Sequence, residues 1–169
     1  MDKLNIQPSF KWLLQNPVCF LAFGFGTGLA PKAPGTFGTL PALFLAWLYS
    51  LTGLNFLYLA ISCIPLFFIG ITFCHQASEK LGVSDYGGIV WDEIIAMLLI
   101  LSLIPTLWLF WGIAFLLFRL FDALKPWPIS YFDRTVHGGF GIMLDDLLAV
   151  IPTLVCFYGF YWCYQNLGI

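Results

Sequence analysis

The chain has 169 residues, of which 60% are hydrophobic and only 9% are charged, and its mean hydropathy is +0.90. A soluble domain carries about 25% charged residues. So few charges cannot cover a water-exposed surface, and the composition predicts an integral membrane protein. The formal net charge of −2 excludes a protein that binds nucleic acid through phosphate electrostatics, so no nucleic-acid partner is expected.

The N-terminal part of the chain contains too many helix breakers for a regular span. Residues 1–16 are mixed and polar, with a short interfacial helix predicted around Phe10 to Leu14. Residues 17–41 interleave apolar residues with repeated glycines and prolines. Exposed irregular backbone cannot lie in lipid, so we expect a re-entrant or interfacial segment here.

Apolar runs that approach the length of a membrane span follow in the order 39–51, 55–74 and 142–164. The first of these is a little short, and the second has full length. Pro152 is expected to kink the last one. The polar stretches at residues 75–88 and 118–141 are predicted to be loops.

A further apolar run, residues 94–117, is interrupted by Pro105 and forms either one kinked helix or a hairpin of two shorter ones. A hairpin places all the lysines and arginines on one side of the membrane, whereas a single helix moves the last three across. The positive-inside rule favours the hairpin with a cytoplasmic N-terminus. The seven basic residues are Lys3, Lys11, Lys32, Lys80, Arg119, Lys125 and Arg134.

The predicted fold is therefore all-α: a polytopic membrane helical bundle of about five spans, forming a single domain over residues 1–169.

Two adjacent acidic residues, Asp145 and Asp146, lie just inside the last apolar run. Neighbouring carboxylates in an apolar helix repel each other and resist desolvation unless a cation neutralises them. Ionisable residues at membrane depth are candidates for function. We therefore predict a functional role for this pair.

A second acidic pair, Asp92 and Glu93, opens another apolar helix, and the hairpin topology brings both pairs to the same face. Carboxylate clusters suit a hard divalent cation such as magnesium. The only histidines are His75 and His137, too few for a typical zinc site. The sequence therefore predicts a magnesium or manganese site.

Basic residues accompany the acids in the loop that follows the Pro105 run. Arg119 and Asp122 are three residues apart and share one face if they are helical, and Lys125 follows after three more. Carboxylates that hold a metal, next to cations that clamp phosphate oxygens, suit phosphoryl chemistry. An ordinary ion pair at the membrane surface is the alternative.

The segment 31–39 is rich in glycine and proline, and a helix is expected to begin near Thr39. Glycines let backbone N–H groups approach an anion, and Lys32 adds positive charge. A plain structural loop is an equally good interpretation. His137 precedes the last acidic pair. It is expected to act as a general acid or as a hydrogen-bond donor to phosphate, or else to be a structural histidine.

Four blocks of sequence in this order and spacing resemble the phosphatidylglycerophosphatase A family, over about residues 17–150. The departures are modest, because Ala96 and Val150 stand where the family usually has glycine, and Thr39 where it often has serine. The blocks are Gly26-Thr27-Gly28 with residues 31–36, then residues 89–93, 118–129 and 137–146.

The resemblance implies a magnesium-dependent phosphoric monoester hydrolase of phospholipid biosynthesis. Its substrate would be the membrane phospholipid phosphatidylglycerophosphate, and its products phosphatidylglycerol and phosphate. It also implies a multi-pass protein of the bacterial inner membrane with its active site on the cytoplasmic face. The alternatives left open are an enzyme like the CDP-alcohol phosphotransferases, although their Asp-Gly-x-x-Ala-Arg motif is missing, and a small ion-coupled transporter.

Our mechanistic hypothesis is in-line attack on phosphorus by a metal-activated water. The residues expected to act in catalysis are Asp92, Glu93, Asp122, Asp145, Asp146 and His137. All but His137 are also the expected metal ligands or water-orienting groups. The residues expected to bind the substrate are Lys32, Thr36, Arg119 and Lys125.

Overall fold

The protein was analysed as a computed structural model that describes residues 8–83 and 86–167. Lys3, which entered the charge argument, lies outside these residues. In the described part of the chain every regular element is helical, as predicted. A 3₁₀ segment, Gly24–Leu29, joins the second and third of the α-helices. The α-helices are α1 (Phe10–Leu14), α2 (Pro17–Ala22), α3 (Pro34–Ser50), α4 (Phe56–Leu81), α5 (Trp91–Leu103), α6 (Trp108–Leu124), α7 (Ile129–Thr135) and α8 (Gly138–Leu167).

The N-terminal segment is more helical than its glycines and prolines predicted. The short helix α1 is confirmed, but residues 17–22 are also helical, and α3 begins at Pro34, five residues before the expected start. Pro17 and Pro34 each occupy the first turn of a helix, where the missing N–H has no intrahelical partner to lose. These prolines therefore start helices here and do not interrupt them.

Two predicted loops are partly helix. α4 continues through His75 to Leu81 and is capped by Gly82, which has the left-handed backbone of a helix cap (φ 68°). Similarly, α6 runs to Leu124, and α7 lies within the stretch expected to be irregular. The error has a simple cause: polar side chains mark where a helix leaves an apolar environment, not where its backbone hydrogen bonds end.

The break at Pro105 is a hairpin. α5 ends at Leu103, α6 begins at Trp108, and Arg119 Nη1 of α6 lies 3.0 Å from Glu93 Oε1 of α5. In one continuous helix these residues would lie about 39 Å apart, at 1.5 Å per residue. The chain therefore folds back on itself, as the distribution of basic residues predicted.

Within the described residues, α4 and α8 are the two helices long and apolar enough to cross a membrane. Only 11% of the most apolar stretch of α4 is buried inside the protein, and Leu57, Ile61, Ile64 and Phe68 are all exposed. An apolar surface of this kind marks a membrane or partner interface. This supports membrane association, whereas crossing by α3, α5 and α6, with 17, 13 and 17 residues, stays a prediction.

The two ends of the bundle differ in chemistry. At one end Lys80 of α4 donates a 2.9 Å hydrogen bond to Asn16, close to the N-terminal helices, and the other described lysines and arginines lie on the elements of this same end. At the opposite end Trp47, Trp108 and Trp111 gather around the turn between α5 and α6. Tryptophan is enriched at membrane–water interfaces. We call the end that contains Lys80 and Asn16 the polar end.

Helix α5 is the central element and sets the position of both acidic pairs. It packs against α3, α4 and α8, and its side chains Met97, Ile100 and Leu101 are fully buried. α6 also packs against α8. The first turn of α5 and the N-terminal part of α8 therefore meet at the polar end of the bundle.

Candidate active site

The four paired acids are brought together at the polar end, as predicted. Asp92 and Glu93 occupy the first turn of α5. Asp145 and Asp146 lie about two turns inside α8, deeper than expected, because α8 begins at Gly138 and not near residue 142. Asp92, Asp145 and Asp146 have relative exposures of 8%, 8% and 3%. They are therefore buried carboxylates and not solvated loop charges.

Arg119 binds one of these acids, Glu93, and one further carboxylate, Asp122. Its Nη1 lies 3.0 Å from Glu93 Oε1 and 2.6 Å from Asp122 Oδ2. The Arg119–Asp122 pair follows the predicted i, i+3 spacing on one turn of α6. The contact with Glu93 joins α6 to α5, so the pair is part of a network and not an isolated surface ion pair.

The first turn of α3 packs directly against this network. The Thr39 hydroxyl lies 3.1 Å from Glu93 Oε2 and 2.7 Å from the Gly35 carbonyl oxygen. A Cβ added at Gly35 would collide with the Glu93 carboxylate and come within 2.7 Å of Arg119 Nη2. Only glycine leaves room for this approach.

Gly35 and Thr39 were not predicted as site residues. A signal was available, because Gly35, Gly38 and Thr39 are small and lie on one face of α3 at spacings of three and four residues. Such a stripe indicates close packing of helices in a membrane. It does not say which helix is approached, and that information exists only in the tertiary structure.

Lys125 bridges two acids. Its Nζ lies 2.5 Å from Asp133 Oδ1 and also pairs with Asp145 Oδ2. Burial alone would lower the pKa of Lys125, but the hydrogen bonds to Asp133 and Asp145 outweigh it and raise the pKa above its usual value. The ammonium therefore stays charged. Asp133, which the sequence did not single out, is an ion-pair partner at the site.

Three buried carboxylate oxygens have no hydrogen-bond partner among the described residues. They are Asp92 Oδ1, Asp145 Oδ1 and Asp146 Oδ2. Asp92, Asp122, Asp145 and Asp146 also lie within electrostatic range of one another. Buried polar atoms are normally satisfied, and clustered carboxylates repel. A cation among these oxygens would relieve both effects.

The chemistry of this donor set fits magnesium. In the described part of the chain, no three His, Cys, Asp or Glu side chains are close enough to ligate one ion as they stand. Magnesium does not require this, because it usually keeps several waters and is held by one or two carboxylates together with substrate phosphate. Hard carboxylate oxygens favour magnesium or manganese.

The remaining predicted residues lie at the edge of the site. His137 is exposed and shares a small cavity of about 50 Å³ with Asp133 and Asp145. Lys32 is exposed, and within the described residues its side chain has no ion pair or hydrogen bond. Thr36 is half-buried in the first turn of α3. The structure brings Lys32 and Thr36 near the site along the chain, but not into contact with the acids.

Comparison with known proteins agrees with the motifs. A family model described as phosphatidylglycerophosphatase A matches residues 20–161. The chain is 44% identical over 160 residues to phosphatidylglycerophosphatase A of Escherichia coli strain K12, covering 88% of this chain and 87% of the relative. It is 44% identical over 159 residues to the protein of the same name from Haemophilus influenzae, covering 92% and 96%.

A third relative, from Bacteroides thetaiotaomicron, is 32% identical over 155 residues, covering 88% of this chain and 92% of the relative. It carries the provisional name of a phosphatidylinositol-3-phosphatase. No solved structure matches the chain. The match over most of the chain and the two relatives at 44% identity show that this protein belongs to the phosphatidylglycerophosphatase A family, whose members are phosphatases acting on phosphate monoesters.

Proposed function

We propose that this protein hydrolyses the terminal phosphate monoester of phosphatidylglycerophosphate, giving phosphatidylglycerol and phosphate, and that it depends on magnesium. The observation that supports this most strongly is the cluster of buried carboxylates with unpartnered oxygens at Asp92, Asp145 and Asp146. The cluster lies beside Arg119 and Lys125 in a chain of this family.

Arg119 and Lys125 bind the phosphate in this proposal. Arg119 Nη1 is engaged by Glu93 and Asp122, but its Nε is buried and has no partner among the described residues. A guanidinium offers five donors and matches phosphate geometry with two parallel hydrogen bonds. We assign this Nε to a phosphate oxygen of the bound substrate, while the two carboxylates keep Nη1 fixed. Lys125 contributes its charge next to Asp145.

The acids divide into two roles. Asp92, Asp145 and Asp146 have the unpartnered oxygens and hold the magnesium, whereas Glu93 and Asp122 fix Arg119. Magnesium held there would stabilise the phosphoryl oxygens electrostatically and would make water a stronger acid. The carboxylate oxygen of Asp146 that does not hold the metal would orient the attacking water and accept its proton.

The residues at the edge of the site have supporting roles. His137 faces solvent beside the Asp133–Asp145 cavity and donates a proton to the leaving alkoxide. Lys32 and Thr36 contact the headgroup from the segment before α3 and its first turn.

The same proposal covers topology and location. The chain forms a single domain over residues 1–169 with five spans in the bacterial inner membrane, and its site faces the cytoplasm. The gathering of the described lysines and arginines at the polar end supports this orientation through the positive-inside rule. The named relatives are bacterial.

The direct test is phosphate release from phosphatidylglycerophosphate by the purified protein in detergent, first with magnesium and then with EDTA. Phosphatidylinositol 3-phosphate, which the provisional name of one relative suggests, is the comparison substrate. We expect magnesium-dependent release that is faster from phosphatidylglycerophosphate, and its loss in Asp146→Asn.

Two outcomes would contradict the proposal. No release by protein that remains folded removes the phosphatase assignment, and faster release from phosphatidylinositol 3-phosphate replaces the substrate. Family membership leaves the phosphotransferase and transporter alternatives without support.

A further inference from the structure

One face of α8 connects the active site to an apolar groove. At the polar end, Gly138, Ile142 and Asp145 line the small polar cavity that also contains His137. The groove follows directly along the helix. Its volume is about 260 Å³, and it is lined by Leu148, Ile151, Pro152 and Val155 of α8 and by Pro126, Trp127, Pro128 and Ile129.

Helical spacing places the acid and the groove on the same side. Asp145, Leu148, Pro152 and Val155 follow one another at intervals of three, four and three residues, so they share one face of α8. At 1.5 Å per residue, Val155 lies about 15 Å along the helix from Asp145. The groove thus extends from the site along the outer surface of α8, where Ile151 and Val155 are exposed.

A lysine adjoins the mouth of the groove. Lys125, whose ammonium pairs with Asp133 and Asp145, immediately precedes the Pro126–Ile129 wall. Trp127 stands beside it and is 82% exposed, which is typical of an aromatic residue at a membrane interface. A cation and an interfacial aromatic above an apolar channel match the order of a phospholipid: anionic headgroup, then glycerol, then acyl chain.

A second apolar groove lies between α4, α5 and α8. It is lined by Ile95 and Leu99, which follow Asp92 on one face of α5, and by Leu147, which lies on the side of α8 opposite Asp145. Among the described residues, no lysine or arginine lines this groove, whereas Lys125 adjoins the first groove and pairs with Asp145.

We infer that the Leu148–Val155 groove binds one acyl chain of the substrate lipid and so sets the position of its headgroup at Lys125 and Asp145. The inference rests on the proposed function. Lipid tails are as apolar as the groove, so binding there gains little hydrophobic energy. The contribution is to positioning, because a bound chain restricts where the phosphate lies relative to the acids.

Three isoleucines of similar exposure give a matched test. Ile151 lines the proposed groove and is 60% exposed, Ile64 lines the second groove and is 59% exposed, and Ile61 lines neither and is 52% exposed. Each is replaced by tryptophan, and kcat/KM is measured with dioleoyl and dihexanoyl phosphatidylglycerophosphate in the same detergent.

We expect Ile151→Trp to lower kcat/KM for the dioleoyl substrate by about tenfold, with a smaller loss for the dihexanoyl substrate, since misplacement of bound groups reduces rates on this scale. Ile64→Trp and Ile61→Trp should stay within about twofold of wild type. Equal losses for both substrates, or a larger chain-length effect in Ile64→Trp, would overturn the assignment.

A second measurement does not depend on turnover. Phosphatidylglycerol with a diazirine in one acyl chain is photocrosslinked to the wild-type protein in detergent, with and without excess unlabelled lipid. Competed crosslinks should map to residues 126–129 and 148–155. Competed crosslinks at residues 60–68 instead would refute the groove, whereas absence of phosphate release with correct crosslinks would refute only the proposed reaction.

Discussion

The two halves of the acidic cluster differ in how well their oxygens are satisfied. In one half, Glu93 and Asp122 share Arg119, and Thr39 supports Glu93. In the other half, Asp92 and Asp146 each keep a buried oxygen without a partner among the described residues. We call these the paired half and the open half.

In the proposed function, this difference separates residues that position the phosphate from residues that hold the cation. In the paired half, one guanidinium holds both carboxylates, so this half can keep its geometry before any ligand arrives. The open half carries uncompensated negative charge in a buried place, which is costly unless a cation is bound. Changes in the open half should therefore act on metal dependence, and changes in the paired half on phosphate binding and alignment.

The largest effect is expected in the open half. Asp146→Asn keeps the size of the side chain but removes its charge, so magnesium binding and water activation should both fail. Phosphate release should fall by about a thousandfold or more, a loss on the scale of removing a principal electrostatic group. The assay is initial-rate phosphate release at saturating magnesium, with circular dichroism as the folding control. Retention of full turnover would contradict the assignment of the open half.

Arg119→Lys should produce the next largest effect. Lysine keeps the charge but cannot hold Glu93 and Asp122 with one nitrogen while it offers another to phosphate. We expect kcat/KM to fall by about a hundredfold. The magnesium concentration for half-maximal rate should change little. A large shift in that concentration, with little change in kcat/KM, would mean that Arg119 acts on the metal and not on the phosphate.

Gly35→Ala tests the close approach of α3 to the paired half. The added methyl group would collide with the Glu93 carboxylate, so Glu93 and Arg119 must shift. Because supporting contacts are typically worth 10- to 100-fold in activity, we expect a loss of about tenfold or more. Gly53→Ala serves as a control for the chemical change, because nothing lies within 4 Å of a Cβ added at Gly53. This control also includes the backbone strain of an alanine at a φ of 69°. Unchanged activity in Gly35→Ala would show that this contact does not matter.

Asp133→Asn should have the smallest effect. Lys125 would lose one charged partner but keep Asp145, and partly exposed ion pairs contribute about 0–1 kcal/mol. We expect kcat/KM within about threefold of wild type. Asp145→Asn is the contrasting variant, since it removes a carboxylate with an unpartnered oxygen. If Asp133→Asn lowered kcat/KM as much as Asp145→Asn does, the distinction between the two residues would be wrong.

The sequence predicted much of this arrangement. Adjacent acids at the starts of apolar helices stand out against the few charges of the chain, so Asp92, Glu93, Asp145 and Asp146 were identifiable as a group. The positions of the basic residues predicted the hairpin at Pro105, and the contact between Arg119 and Glu93 confirms it.

Other features depend on tertiary contacts and could not be predicted. Asp133 has no distinctive local pattern, and the small-residue stripe that includes Thr39 does not say which helix lies opposite. The starts of α3 and α8 were misplaced because proline and glycine were treated as breakers, whereas Pro34 and Gly138 each begin a helix. The Leu148–Val155 groove could not be predicted either, because its walls come from α8 and from a loop more than ten residues away in sequence.

The central claim is that the open half binds the divalent cation used in phosphate hydrolysis. The most direct measurement is the initial rate of phosphate release from phosphatidylglycerophosphate as a function of magnesium concentration, for wild type and for Asp146→Asn. We predict no release in EDTA, a saturable rise with magnesium for wild type, and a much weaker magnesium response in Asp146→Asn. A wild-type rate that is the same in EDTA and in magnesium, or an identical magnesium response in the variant, would contradict the claim.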